Sequence, residues 1–164
     1  MAVVDLRDLP GAMVCATAPL VGLDLGAKTI GVAVSDTGRM IASPLALIRR
    51  TKFTADAEAL FGLMATRGAG GIVIGLPVNM DGSEGSRCQS SRAFARNLLR
   101  LGDIPIALWD ERLSSVAANR VLIAEGDVSR KRRAVLVDKV AAAWILQGAL
   151  DRLRDAARAP RTTF

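Results

Sequence analysis

The sequence contains no histidine. That excludes Ser-His-Asp and Cys-His catalysis and any histidine-ligated zinc site. Acid–base or metal chemistry in this chain has to come from carboxylates, lysine, cysteine or hydroxyls. There are only two cysteines, Cys15 and Cys88, and their spacing is not that of a metal site. With no other redox cue, they read as reduced thiols of a cytoplasmic protein. No apolar run is long enough to span a bilayer, since Pro19 and small residues break up the fairly apolar stretch 11–23. A secretion signal is not expected either. "ATA" at 16–18 resembles a cleavage site, but Asp5 and Asp8 outweigh Arg7 and Pro10-Gly11 interrupts the segment. Internal repeats, low-complexity tracts and interdomain linkers are missing as well.

What remains is a chain of 164 residues, 51% hydrophobic and 23% charged, which suits one ordered domain with a core. Its net charge of +6 is unevenly placed. Residues 126–164 carry nine Lys+Arg against four Asp+Glu, and the other 125 residues carry thirteen against twelve. A basic C-terminal part suits a polyanionic partner, most simply nucleic acid, although a solubilising surface would look the same.

Along the chain, Val21, Leu23 and Leu25 alternate with Gly22, Asp24 and Gly26, which is strand periodicity. "GAKT" turns the chain into a second strand carrying Ile30, Val32 and Val34, and a third follows near Ser43–Ile48. The spacing then becomes helical over Thr54–Arg67, with Ala57, Leu60, Phe61 and Met64 on one stripe. "GIVIGLP" reads as a central strand, Ser86–Leu101 as a helix with Phe94, Leu98 and Leu101 inward, and "IPIALWD" as a further strand. Leu113–Ala124 and Ala134–Arg154 read as helices, and the tail from Ala156 as frayed. A strand meander followed by β-α repeats predicts an α/β fold, one mixed sheet with helices on both faces. Residues 1–19 form an extension, which could be flexible, ahead of a domain at 20–155 and a tail at 156–164.

Four features carry chemistry. Asp24 stands mid-strand, and Gly22 and Gly26 on its face leave room for something to approach. The plainer alternative is a carboxylate tied to turn amides. Asp138 lies on the helical face of Ala134, Val135, Ala141, Ala142 and Ile145, where a lone carboxylate is costly unless a cation or donors compensate. A salt bridge to a distant arginine would also explain it. Asp110 and Glu111 end an apolar strand, at the edge where open α/β sheets gather ligands. Asp110 could instead cap the next turn while Arg112 pairs with a carboxylate. "GLPVNMDGSEG" also follows a strand and could offer amides to a phosphate, or be ordinary turn chemistry. Separated carboxylates, no histidine and a basic flank suggest a phosphodiesterase using one or two hard divalent ions, Mg²⁺ or Mn²⁺, to activate water and stabilise the leaving oxygen.

Taken together, "LDLGAKTIGVAVSD", "GLPVNMDGSEG", "DERLSS" and "VDKVAAAWIL" resemble, in order from about Leu20 to Leu153, the YqgF/RuvX family of pre-16S rRNA nucleases, also described as Holliday junction resolvase-like. The resemblance implies an RNase H-like five-stranded sheet. It implies Asp24, Glu111 and Asp138 as catalytic, metal-holding acids, with Asp110 a further candidate. Lys28, Asn79, Asp81, Gly82, Arg112 and Ser114 match motif positions and would contact substrate or shape the site. Arg130, Lys131, Arg132 and Arg133, just ahead of the last predicted helix, read from their charge as phosphate contacts. The implied substrate is the 5′ end of precursor 16S rRNA, presented free or on the ribosome, to a monomer or homodimer. Three alternatives stay open: a resolvase of branched DNA, a non-catalytic nucleic-acid-binding module, and a nucleotide-dependent phosphotransferase. The last would need a second such domain.

Overall fold

The computed structural model describes residues 3–113 and 130–158, with side chains described over 3–113 and 140–158. The strands are β1 (Leu20–Leu25), β2 (Thr29–Ser35), β3 (Ala42–Arg49), β4 (Gly71–Leu76) and β5 (Ile106–Asp110). The helices are α1 (Leu9–Ala12), α2 (Phe53–Arg67), α3 (Ser86–Leu101) and α4 (Arg130–Arg158). The sheet order is β3-β2-β1-β4-β5. β1, β2 and β3 pair antiparallel, and β1, β4 and β5 pair parallel, giving the mixed sheet expected.

Alternation along the strands sorts the sheet into two faces. Val21, Leu23, Ile30, Val32, Ile72, Ile74 and Ile106 pack beneath α2 and α3. Leu20, Ala33, Val73, Ala107 and Trp109 pack beneath α4 with Ala141, Ala142, Ile145 and Leu146. β4 is buried along its whole length, which is why its sequence is apolar throughout rather than alternating. α2 ends at Gly68, whose φ of 66° gives the left-handed turn that caps a helix. In α3, Phe94 and Leu98 are buried as expected, but Leu101 is 52% exposed because the helix ends there, past the edge of the core.

Two expectations change. α4 begins at Arg130, so "RKRR" lies within the helix rather than ahead of it, as suits good helix formers. At its other end α4 runs to Arg158, beyond the predicted boundary. The helix expected at 113–124 falls outside the described residues except for Leu113, which closes a 3-10 turn at Glu111–Leu113.

Residues 4–13, within the N-terminal extension, pack against the domain. The Val4 amide donates to the Ile106 carbonyl (2.9 Å), and Val4 bridges Ala107 in parallel, covering the outer edge of β5. A 3-10 turn at Leu6–Asp8 leads into α1, and Leu6, Leu9 and Met13 join the core under α4. Leu9→Ala is therefore expected to lower unfolding stability by about 2–5 kcal/mol in urea denaturation, as for any large-to-small core change. A flexible extension would give no change.

Candidate active site

The site is built at the C-terminal ends of the parallel strands. Asp24 on β1 is only 5% exposed. Across the sheet it pairs with Gly31 of β2. On the other side the parallel register runs to Leu23↔Ile74, so the next residues along, Asp24 and Gly75, stand abreast. Neighbouring strands lie about 4.8 Å apart. Both flanking positions are thus glycines, so neither neighbouring strand sets a side chain of its own beside the carboxylate.

The glycines of β1's own motif have other duties. A Cβ on Gly22 would lie 2.6 Å from Leu146 Cβ and 3.1 Å from the Ala142 carbonyl, so Gly22 lets α4 settle on the sheet. A Cβ on Gly26 would meet the Thr29 carbonyl at 3.0 Å, inside the hairpin turn that the Gly26 amide closes by donating to that same oxygen (2.8 Å). Their reading as a cleared approach to Asp24 is corrected accordingly.

Gly75 is the position that sequence reasoning missed. A Cβ there would stand 2.7 Å from Glu111 Oε1 and 2.5 Å from Ile145 Cδ1. The Glu111 carboxylate therefore lies over the Gly75 backbone, directly beside the Asp24 position. The available signal was a glycine interrupting the otherwise branched apolar run of "GIVIGLP".

Asp110 and Glu111 separate. Asp110 accepts from the Arg112 amide (2.9 Å) and from Arg112 Nη2 (2.7 Å) and Nε (3.1 Å). This is the capping and pairing arrangement that the sequence left open. The Arg112 guanidinium and amide hold the Asp110 carboxyl below its ordinary pKa. In the loop after β4, Asp81 accepts from the Ser83 amide (2.9 Å) and hydroxyl (2.6 Å). Asn79 donates to Ser83 Oγ (3.0 Å), and Gly82 takes φ 88°. These residues hold the loop to itself, as turn chemistry would. A Cβ on Gly82 would lie 3.8 Å from Arg112 Nη1, so the loop and the Asp110–Arg112 pair adjoin. Lys28 is exposed in the β1–β2 turn. Lys28, Asn79, Asp81, Gly82 and Arg112 thus all rim the same sheet edge.

Asp138 belongs to α4 by its backbone, one turn before Ala142 and therefore on the row that meets the sheet. Leu146 and Ala142 sit at Gly22, two residues before Asp24 on β1. The side chains of Asp138 and of Arg130–Arg133, and Ser114 entirely, lie outside the described residues. Among the described residues no group of three His, Cys, Asp or Glu could hold a metal ion. Asp24 and Glu111 both carry oxygen donors, the type that suits a hard divalent cation.

Residues 18–152 match the RuvX family, described as Holliday junction resolvase. The chain belongs to that family. A Phenylobacterium zucineum protein provisionally named a pre-16S rRNA nuclease is 72% identical over 156 residues, covering 94% of this chain and 99% of that one. A Caulobacter vibrioides relative with the same provisional name is 65% identical over 155 residues, covering 94% and 99%. Among solved structures, Thermus thermophilus RuvC in complex with a Holliday junction substrate superposes with a TM-score of 0.53 at 9% identity, covering 84% of this chain and 96% of that one. At that identity the likeness is one of fold. All four motifs that carried the resemblance fall inside the matched RuvX segment.

The Asp110–Arg112 pair gives a pH prediction. Because its pKa is lowered in the folded state, Asp110 contributes stability above the unfolded aspartate value of about 3.9. That contribution is lost as the pH falls through the lowered value. Asp110→Asn should therefore unfold at a lower urea concentration than the native chain at pH 6, and the two midpoints should converge as the pH falls below the ordinary aspartate range.

Proposed function

We propose that this RuvX-family chain is a divalent-metal-dependent endonuclease that hydrolyses phosphodiester bonds in the 5′ region of precursor 16S rRNA. The observation that carries the catalytic reading is the Glu111 carboxylate lying over Gly75, in register beside the buried Asp24. Two acids fixed side by side at a strand edge, rimmed by Lys28 and Arg112, suit a cation and a phosphate together. The names of relatives at 72% and 65% identity support the rRNA substrate.

Asp24, Glu111 and, from α4, Asp138 would hold Mg²⁺ or Mn²⁺. A divalent ion bound there supplies an activated water at neutral pH and charge neutralisation at the phosphate, without an imidazole. The chain's own contribution is positioning. Asp24 is held by its pairing with Gly31 of β2, and Glu111 is seated against the backbone of β4. Burial of Asp24 would strengthen its hold on a cation. Asp110 has a positioning role, fixing Arg112 at the rim. Lys28, Asn79, Gly82, Ser114 and Arg130–Arg133 are proposed substrate contacts, and Asp81 shapes the loop that carries Asn79. Cleavage in the cytoplasm accords with Cys15 and Cys88, both free thiols. Among the described residues no helix is long and apolar enough to cross a membrane.

The test is incubation of the purified protein with a precursor rRNA 5′-leader fragment and with a four-way DNA junction, each with and without Mn²⁺. The RNA should be cut only with metal, and preferential cutting of the junction would favour a resolvase. Asp24→Asn and Glu111→Gln should each lower cleavage by ~100-fold or more while leaving RNA binding in place. Full activity in Asp24→Asn would sink the mechanism. Gly75→Ala should lower cleavage as well, because its methyl group would displace the Glu111 carboxylate; unchanged cleavage would detach Glu111 from the site.

A further inference from the structure

A cavity of about 210 Å³ opens on the other side of the same sheet end. Its walls include Leu25 and Gly26 after β1, Arg50 after β3, and Arg87, Ser90 and Ser91 on the first turns of α3. Leu25 follows Asp24 directly and faces the α2–α3 side, whereas Asp24 faces α4. The cavity and the acid pair therefore lie on opposite sides of one strand end.

The Arg50 guanidinium is held in place. Its Nη1 donates to the Gly26 carbonyl (2.7 Å), and its Cζ stands 5.8 Å from the centre of the Phe94 ring. The Arg50 amide donates to the Lys28 carbonyl (2.9 Å), tying this residue to the hairpin beside Asp24. Ser91 donates to the Arg87 carbonyl (3.0 Å) and is engaged. The side chains of Arg87 and Ser90 are exposed and make no hydrogen bond or ion pair among the described residues. Among the described residues no carboxylate lines the cavity. Two guanidinium groups and a hydroxyl therefore converge there without a counter-ion among the described residues. Arginines and hydroxyls are the groups that grip phosphate oxygens.

We propose that this cavity seats one phosphate of the nucleic-acid strand, flanking the phosphate cut at Asp24 and Glu111. The strand would pass over the C-terminal end of β1, from the α4 side to the α3 side, with Arg50 and Arg87 gripping the same phosphate. The proposal rests on the nuclease reading for its ligand and adds a subsite and two positioning residues to it.

The test measures binding of a fluorescently labelled precursor 5′-leader RNA, in EDTA, across a series of salt concentrations. Binding in EDTA separates the subsite from the chemistry. Arg50→Gln and Arg87→Gln should each weaken binding about tenfold, the effect of losing one charged hydrogen bond. Because both grip one phosphate, the double variant should flatten the plot of log affinity against log salt by only about 0.7, the value for one phosphate on a single strand. Ser90→Glu is the control for folding. A carboxylate near the helix N-terminus should not lower the stability of α3, yet should weaken RNA binding by repelling the phosphate. Wild-type binding with unchanged affinities and slopes in all three variants would overturn the subsite alone. Failure of the wild-type protein to bind RNA would overturn the subsite together with the rRNA reading. Cleavage lost with binding and subsite intact would overturn only the nuclease reading.

Discussion

The close approach of α4 to the sheet is the constraint on which the rest of the molecule depends. It is possible because Gly22 and Gly75 present bare backbone where the helix crosses. A methyl group at Gly22 would stand 2.6 Å from Leu146 Cβ, and one at Gly75 would stand 2.5 Å from Ile145 Cδ1. Real carbon atoms do not approach so closely, so either substitution would lift the helix or force its side chains from their rotamers. The small residues Ala141, Ala142 and Ala149 on the facing side of α4 complete the fit.

Gly75 couples that packing to the acid pair. The same missing side chain that admits Ile145 from one direction admits the Glu111 carboxylate from the other. The height of α4 above the sheet and the seat of Glu111 are therefore not independent. The coupling extends to Asp138, whose backbone rides on the same helix, one turn from Ala142. A change in helix–sheet spacing would move that backbone relative to Asp24. The docked N-terminal segment braces the same layer, since Leu6, Leu9 and Met13 fill the core beneath α4 at the end away from the acids.

Much of this was legible in the residues. Period-two alternation placed β1 and β2, period 3.6 placed α2 and α3, and an acid between apolar neighbours marked Asp24. The roles of the glycines were not legible, because a glycine has no side chain to declare which face it serves. Only the register of β1 on β4 reveals that Gly75 lies abreast of Asp24. The docking of residues 3–19 was hidden for a related reason. One backbone bridge and a few buried residues on a 3-10 turn and a four-residue helix make too short a segment for any periodicity. Arg50 and Arg87 are 37 residues apart and meet only because the end of β3 and the start of α3 share one edge.

The division of labour between Asp110 and Glu111 follows from strand geometry. Successive residues at the end of a strand point to opposite faces, so two adjacent acids cannot both reach Asp24. Trp109 lies in the core beneath α4, so Glu111, two residues on, continues that face, while Asp110 turns away from it. Turned away, Asp110 forks onto Arg112 and accepts its amide, closing the 3-10 turn at Glu111–Leu113. That turn fixes the backbone from which Glu111 reaches Gly75. The carboxylate outside the acid pair thus sets the position of the one within it. In the order Asp-Glu-Arg, one acid anchors the turn, the next faces the sheet, and the arginine serves the first.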